Sequence, residues 1–200
     1  MRWLVLYLRS RRIPLAVAAA GGVAALMWSL WSLFSNSRDA GAPMVILTVL
    51  LLVAALTASL AGPDDALERT AALSWPPRRA AHLLAALAVV VLLLLVTLVT
   101  GARFGPAWLV IRDAAGLLGV TALGTATVGA ARAWFVPLGW TMASLILPLM
   151  GMGSSEVLLW QSQAVDSKPA AITAAVLALG GLLAYAIAGP ARRAPAEAAL

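Results

Sequence analysis

Residues 62–79, GPDDALERTAALSWPPRR, form the longest polar interruption in an otherwise apolar chain. The stretch carries three acidic residues and three arginines, with one proline near its start and two near its close. A segment with this density of charge does not enter the hydrocarbon core of a bilayer. It therefore separates two membrane-embedded parts of the chain.

The composition of the whole chain is that of an integral membrane protein. Of its 200 residues, 62% are hydrophobic and 11% are charged, whereas a soluble domain has about 45–50% apolar and about 25% charged residues. A membrane-spanning helix takes about 20 residues, so this length allows six spans joined by short loops. We expect an all-α integral membrane protein with a single transmembrane domain over residues 1–200.

Six apolar segments agree with this expectation. Residues 1–12 mix aromatic residues and leucine with four arginines, which predicts an interfacial helix ahead of the first span. A cleaved signal peptide is the alternative, but residues 14–34 are longer than a signal hydrophobic region and no small-residue cleavage site follows promptly. The predicted spans are 14–34, 44–61, 80–100, 114–131, 136–153 and 169–188.

Several positions are candidates for a transport pathway or gate. Small residues in the first span allow close helix approach, the second span carries hydroxyl groups, and a proline in the fifth frees a backbone carbonyl. Residues 154–168 place an apolar cluster between polar flanks and are a candidate re-entrant segment on the outer side. The candidate pathway and gate residues are Gly21, Gly22, Thr48, Thr57, Pro148 and Glu156.

The fourth predicted span is rich in glycine and alanine, which is typical of a packed interior helix. Arg112 and Asp113 precede this span on its outer side. We expect this pair to anchor the chain at lipid headgroups, and a gating pair is the alternative.

The distribution of basic residues predicts the orientation. Ten of the fourteen fall before the first predicted span, between spans two and three, between four and five, or after six. Because cytoplasmic loops carry the excess of basic residues, both termini and the 62–79 stretch are predicted to be cytoplasmic. The formal charge of +6 then faces anionic membrane lipid and not nucleic acid. Thirteen arginines against one lysine are typical of a GC-rich genome, which suggests a bacterial cytoplasmic (inner) membrane.

The sequence argues against catalysis within this chain. None of the predicted spans has an ionisable side chain near its middle, which disfavours a self-powered proton- or ion-coupled carrier. The single histidine, His82, has no HExxH pattern and is expected at the membrane interface. The single lysine, Lys168, is not part of a GxxxxGK[ST] phosphate-binding loop. We expect no catalytic, cofactor-binding or metal-binding residue, so the energy for any uphill transport would come from a partner.

The polar stretch itself predicts a short helix over residues 63–73. Asp65 and Glu68 have the spacing of a capping box, and Asp65 and Arg69 lie four residues apart. Pro76 and Pro77 then end this helix and begin the third span.

In this layout the chain resembles the membrane (permease) subunits of ABC type-2 exporters. One matching stretch is ALERTAALSWPPRRAAHLL (66–84), which is similar to the family's glutamate followed by a proline-basic run into the third span. The other is RDAAGLLGVTALGTATVGAARAWFVPLGWTM (112–142), which is similar to the glycine-rich fourth span and its turn into the fifth. The chain departs from the family in its shorter cytoplasmic loop and its small outer segments.

The resemblance implies a function and a set of partners. A cytoplasmic ABC ATPase, holding ATP and Mg, would contact a coupling helix at Asp65, Leu67, Glu68 and Arg69. A second permease copy, in a homodimer or heterodimer, would complete a pathway for a hydrophobic or amphipathic solute such as a drug, lipid or peptide. Two alternatives remain: a non-transporting membrane anchor or assembly protein for another complex, and an intramembrane enzyme that depends on His82.

Overall fold

The computed structural model describes residues 11–61, 75–152 and 155–191, and these residues are built from helices and short connections. Two short 3₁₀ turns accompany the helices: Ala58–Leu60 continues the second helix, and Trp160–Ser162 lies between the last two. The helices are α1 (Ile13–Phe34), α2 (Ala42–Thr57), α3 (Trp75–Thr97), α4 (Ala107–Val128), α5 (Phe135–Leu149) and α6 (Lys168–Ala188).

Five of these helices are long and apolar enough to cross a membrane: α1, α2 with its 3₁₀ turn, α3, α4 and α6. The prediction of a helical, multi-pass membrane protein is therefore confirmed. Helix α5 is apolar but has only 15 residues, a length of about 22 Å at 1.5 Å per residue. That is shorter than the hydrocarbon core of about 30 Å, so the sixth span stays a prediction.

Two helices begin at least five residues earlier than predicted. Helix α4 begins at Ala107 and not at residue 114, because the turn at Gly105 and Pro106 places the apolar residues that follow it directly in helical conformation. Helix α3 begins at Trp75 and not at residue 80. Its two prolines occupy the first helical turn, where the missing N–H would have had no partner in the helix.

Some predicted features lie outside the described residues. They are the interfacial helix up to residue 10, the coupling helix at 63–73, and the coupling residues Asp65, Leu67, Glu68 and Arg69.

Hydrogen bonds join helix termini at both ends of the bundle. One end of the bundle holds Arg11, the end of α2 and the beginning of α3, and we call it the Arg11 end. There the N–H of Ala191 donates to the carbonyl of Thr125 at 2.8 Å, which joins the ends of α6 and α4. At the opposite end, which we call the Arg112 end, the N–H of Ala40 donates to the carbonyl of Arg103 at 2.8 Å.

Helix α4 is the centre of the bundle. It contacts α2, α3, α5 and α6, and it is the most buried of the five candidate spans. Its most extensive contact is with α6, where Gly119 and Gly181 face each other. A Cβ atom on Gly119 would collide with the backbone of Leu177, and one on Gly181 would collide with the backbone of Gly119. The prediction that this glycine-rich segment is a packed interior helix is confirmed.

The close contact between α4 and α6 predicts opposite effects for two adjacent glycines. Gly181→Ala would force the helices apart, and we expect it to destabilise the fold by about 1–3 kcal/mol, the usual cost of overpacking. Gly180 has open space around its Cβ position, so Gly180→Ala should be neutral or stabilising by up to about 1 kcal/mol, because alanine favours helix. Thermal unfolding of the detergent-solubilised variants measures both effects. Equal behaviour of the two variants would contradict the packing.

Candidate functional site

Two clusters of buried polar residues lie at opposite ends of the bundle, and each joins several helices. The first, the Arg112 cluster, joins α4, α5 and the segment before α6. The second, the Tyr185 cluster, joins α2, α3 and α6. The Arg112 cluster consists of Arg112, Asp113, Thr141, Ser144, Trp160 and Gln161, and the Tyr185 cluster of Arg11, Ser59, Leu60, His82 and Tyr185.

A buried ion pair forms the base of the Arg112 cluster. Arg112 is 3% exposed and Asp113 is fully buried, and Nε of Arg112 lies 3.0 Å from Oδ1 of Asp113. Burying a charge is costly unless it is paired and hydrogen-bonded. The adjacent carboxylate neutralises the guanidinium, and that leaves the other guanidinium nitrogens available to donate to carbonyl groups.

Those nitrogens hold residues 155–167 against α4. Nη1 of Arg112 donates to the carbonyl of Ala164 at 2.9 Å, and Nη2 donates to the carbonyls of Gln161 and Gln163, both at 3.2 Å. These three carbonyls lie outside long helices, where buried backbone groups need other partners. The planar guanidinium offers several donors in fixed directions, so one side chain satisfies all three carbonyls.

The segment 155–167 makes further contacts with the helices. Nε2 of Gln161 donates to Oγ1 of Thr141 at 3.1 Å, and Nε1 of Trp140 donates to the carbonyl of Leu158 at 2.7 Å, so both bonds join α5. The ring of Trp160 lies directly over Gly116, where any side chain would collide with it. Residues 159–161 of this segment are therefore buried against α4 and α5. Entry of the segment into lipid as a re-entrant segment stays a prediction.

The Arg112 cluster corrects one expectation from the sequence. Arg112 and Asp113 do not stand at the outer edge of the bundle, where they would anchor headgroups. Because α4 begins at Ala107, they lie in its second turn and face other protein groups. The apolar run before them, residues 107–111, was the sequence signal that the helix begins earlier.

The Tyr185 cluster consists of two neighbouring groups of hydrogen bonds that together join α2, α3 and α6. Nη1 of Arg11 donates to Tyr185 Oη at 3.3 Å, and Tyr185 Oη donates to the carbonyl of Leu60 at 2.8 Å. Oγ of Ser59 donates to the carbonyl of Leu56 at 2.7 Å and lies 3.2 Å from Nε2 of His82. Since the hydroxyl has a single hydrogen, we assign the proton of this second contact to the histidine.

His82 was expected at the membrane interface, and this position stays a prediction. Its side chain is buried, with 8% exposed, and it contacts Ser59 at the end of α2. It lies near the beginning of α3, where this helix packs beside the end of α2. Its role in the described structure is to join α2 to α3.

The predicted pathway residues lie in different surroundings. Thr48 and Thr57 are buried, and their hydroxyls donate to carbonyls of their own helix, at 2.7 Å to Met44 and 2.9 Å to Val53. Gly21 and Gly22 have open space where a side chain would be. Pro148 is exposed near the end of α5. Glu156 is exposed, and its carboxylate accepts a hydrogen bond from Ser167 Oγ at 3.4 Å. The structure does not bring these six residues together.

An open cavity of about 400 Å³ lies at the Arg112 end. None of the predicted pathway residues lines it. The residues that do are Asp39, Ala40, Leu98, Arg103, Gly105 and Pro106.

Comparison with known protein families, with curated proteins and with solved structures finds no match to this chain. Function is therefore inferred from the arrangement of the chain's own residues.

The Arg112 cluster predicts a large effect of removing the guanidinium. Arg112→Met would leave the Asp113 carboxylate buried without its counter-ion and would leave three carbonyls without their donor. We expect a loss of about 3–5 kcal/mol, as for other broken buried ion pairs. Thermal unfolding in detergent measures it.

Arg103→Met is the matched control, because Arg103 is exposed at the same end of the bundle. We expect the control to change stability by less than about 0.5 kcal/mol, the usual range for surface substitutions. A loss for Arg112→Met no larger than that of the control would contradict the role given to Arg112.

Proposed function

We propose that this chain is the permease subunit of an ATP-binding-cassette exporter. Residues 62–74 connect α2 to α3 at the Arg11 end. In this proposal a separate ATPase chain contacts them, and its conformational changes displace them. The contacts would be made by Asp65, Leu67, Glu68 and Arg69. The observation that carries the proposal is how firmly the two ends of this connection are fixed to the bundle.

The α2 end of the connection belongs to the Tyr185 cluster, and so does His82, which lies about two turns into α3. On the α2 side, the carbonyl of Leu60 accepts from Tyr185 of α6, and Ser59 contacts His82 of α3. In the proposed mechanism, a displacement of residues 62–74 moves the ends of α2, α3 and α6 together, because these hydrogen bonds join them.

Two further parts of the proposal concern the source of ATP and the outer face of α1. The chain has no phosphate-binding loop, so ATP and Mg belong to the partner ATPase. Helix α1 presents large apolar side chains outward, among them Leu15, Leu26 and Leu33. This face contacts lipid or a second permease copy, and two copies would enclose the pathway for a hydrophobic or amphipathic solute.

Charge supports the proposed orientation in a bacterial inner membrane. Among the described residues, the Arg11 end carries five arginines and no acidic residue. The Arg112 end carries as many acidic as basic residues. Since basic residues concentrate on the cytoplasmic side, the Arg11 end and both termini are proposed to be cytoplasmic. The five arginines are Arg11, Arg12, Arg78, Arg79 and Arg132.

The coupling role predicts the behaviour of a double variant. Glu68→Ala with Arg69→Ala removes one acid and one base from the proposed contact without changing the net charge. We expect loss of the ATPase from the complex purified in mild detergent, together with loss of solute export. The measurement is the ratio of ATPase to permease after purification.

The matched control is Arg38→Ala with Asp39→Ala, which removes the same two charge types from exposed positions at the opposite end. This control should retain the ATPase. If the 68/69 variant also keeps its ATPase and its transport, coupling through this segment is wrong. If no ATPase accompanies the unaltered chain, a membrane anchor or assembly protein becomes the better assignment.

The orientation predicts which single cysteines react from outside the cell. The chain has no cysteine, so each introduced thiol reports one position. Ser37→Cys at the Arg112 end should react with an impermeant maleimide added to intact spheroplasts, whereas Arg132→Cys at the Arg11 end should react only after lysis. Both positions are exposed. The reverse pattern would invert the topology.

A further inference from the structure

Four polar atoms of the Arg112 cluster are buried without a hydrogen-bond partner among the described residues. Two are acceptors, Oδ2 of Asp113 and Oε1 of Gln161. One is a donor, Nε1 of Trp160, and one, Oγ of Ser144, can donate or accept. Buried polar atoms in native proteins are nearly always bonded, to protein or to a bound molecule. Four such atoms in one cluster therefore indicate a ligand.

The four residues belong to one continuous patch. The Arg112 guanidinium donates a hydrogen bond to the Asp113 carboxylate and another to the carbonyl of Gln161. The side-chain amide of Gln161 in turn donates to the hydroxyl of Thr141. Ser144 follows Thr141 by three residues, which places both on one face of α5. Trp160 precedes Gln161 and lies over Gly116, one turn along α4 from Arg112 and Asp113.

The charges around the patch determine the class of ligand. A cation would lie beside the Arg112 guanidinium and could not accept from the indole N–H of Trp160. An anion would meet the Asp113 carboxylate and the amide oxygen of Gln161. A neutral molecule that both donates and accepts hydrogen bonds satisfies the acceptors and the donor together. Water has two donors and two acceptors and is small enough for an enclosed polar site.

We propose that Asp113, Ser144, Trp160 and Gln161 form a buried binding site for water, enclosed between α4, α5 and the segment 155–167. Water at this site donates to the oxygens of Asp113 and Gln161 and accepts from the indole of Trp160. The site does not depend on the proposed export function. It places a hydrated polar site at the Arg112 end of the bundle.

Radiolytic footprinting tests the site in the unaltered protein. A short X-ray pulse on the full chain in lipid nanodiscs, prepared in heavy-oxygen water, generates hydroxyl radicals that oxidise side chains next to water. Trp160 and Phe104 are each 1% exposed, so solvent exposure alone would protect both. We expect Trp160 to be oxidised and Phe104 to be protected, after correction for the reactivity of each ring. Equal protection of the two residues would overturn the proposal.

A second measurement uses the sign of a stability change. Ser144 has no other hydrogen bond in the described structure, so Ser144→Ala removes only its contact with the ligand. If water is bound, the melting temperature in detergent falls and the oxidation of Trp160 decreases. A rise in melting temperature would mean that the hydroxyl was buried without a partner, and would contradict the site. The control is Thr121→Val, whose hydroxyl donates to the carbonyl of Leu117 at 2.8 Å on the same helix as Asp113; it should leave Trp160 oxidation unchanged.

Discussion

The contact between the backbones of Gly119 on α4 and Gly181 on α6 is the constraint on which the rest of the bundle depends. In lipid, helices are not driven together by the hydrophobic effect, so close backbone approach and hydrogen bonds between helices hold them. This contact fixes α4 at the centre, where it meets α2, α3, α5 and α6. With α4 fixed, Gly116 is in position to receive the ring of Trp160. The second turn of the same helix then brings Arg112 and Asp113 against residues 155–167.

Polar groups complete the two ends of the bundle in different ways. At the Arg112 end, one guanidinium holds a non-helical segment through its backbone carbonyls, and its charge is balanced by the adjacent carboxylate. At the Arg11 end, a tyrosine hydroxyl and a serine–histidine contact join the ends of three helices. The first arrangement holds a segment against α4, and the second joins the end of α2 to α6 and to the early turns of α3. The proposed coupling uses the second arrangement.

The sequence predicted the helical membrane class, because long apolar runs have few alternatives in a bilayer. It also predicted α4 as an interior helix, since glycine and alanine at helical spacing serve close packing. It did not predict the burial of Arg112, Asp113 and His82, because a charged or polar residue near a helix end is compatible with a headgroup position until the helix boundary is known. The boundary of α4 depended on the turn at Gly105 and Pro106, after which the apolar run at residues 107–111 begins the helix. The partners of Arg112 are backbone carbonyls about 50 residues away in the chain, and such partners leave no side-chain pattern to find.

The proposed export function joins these observations to a partner chain. Helix α4 is packed at the centre of the bundle, and hydrogen bonds join α2, α3 and α6 at the Arg11 end. A displacement applied at the Arg11 end would therefore move these three helices together. Purification of the affinity-tagged chain in mild detergent from the membranes of its native host tests this claim most directly, by identifying the proteins that co-elute and their ratio. We expect an ATP-hydrolysing chain with a phosphate-binding loop, present in equal amount with the permease. Elution of the chain alone, or only with proteins that bind no nucleotide, would contradict it.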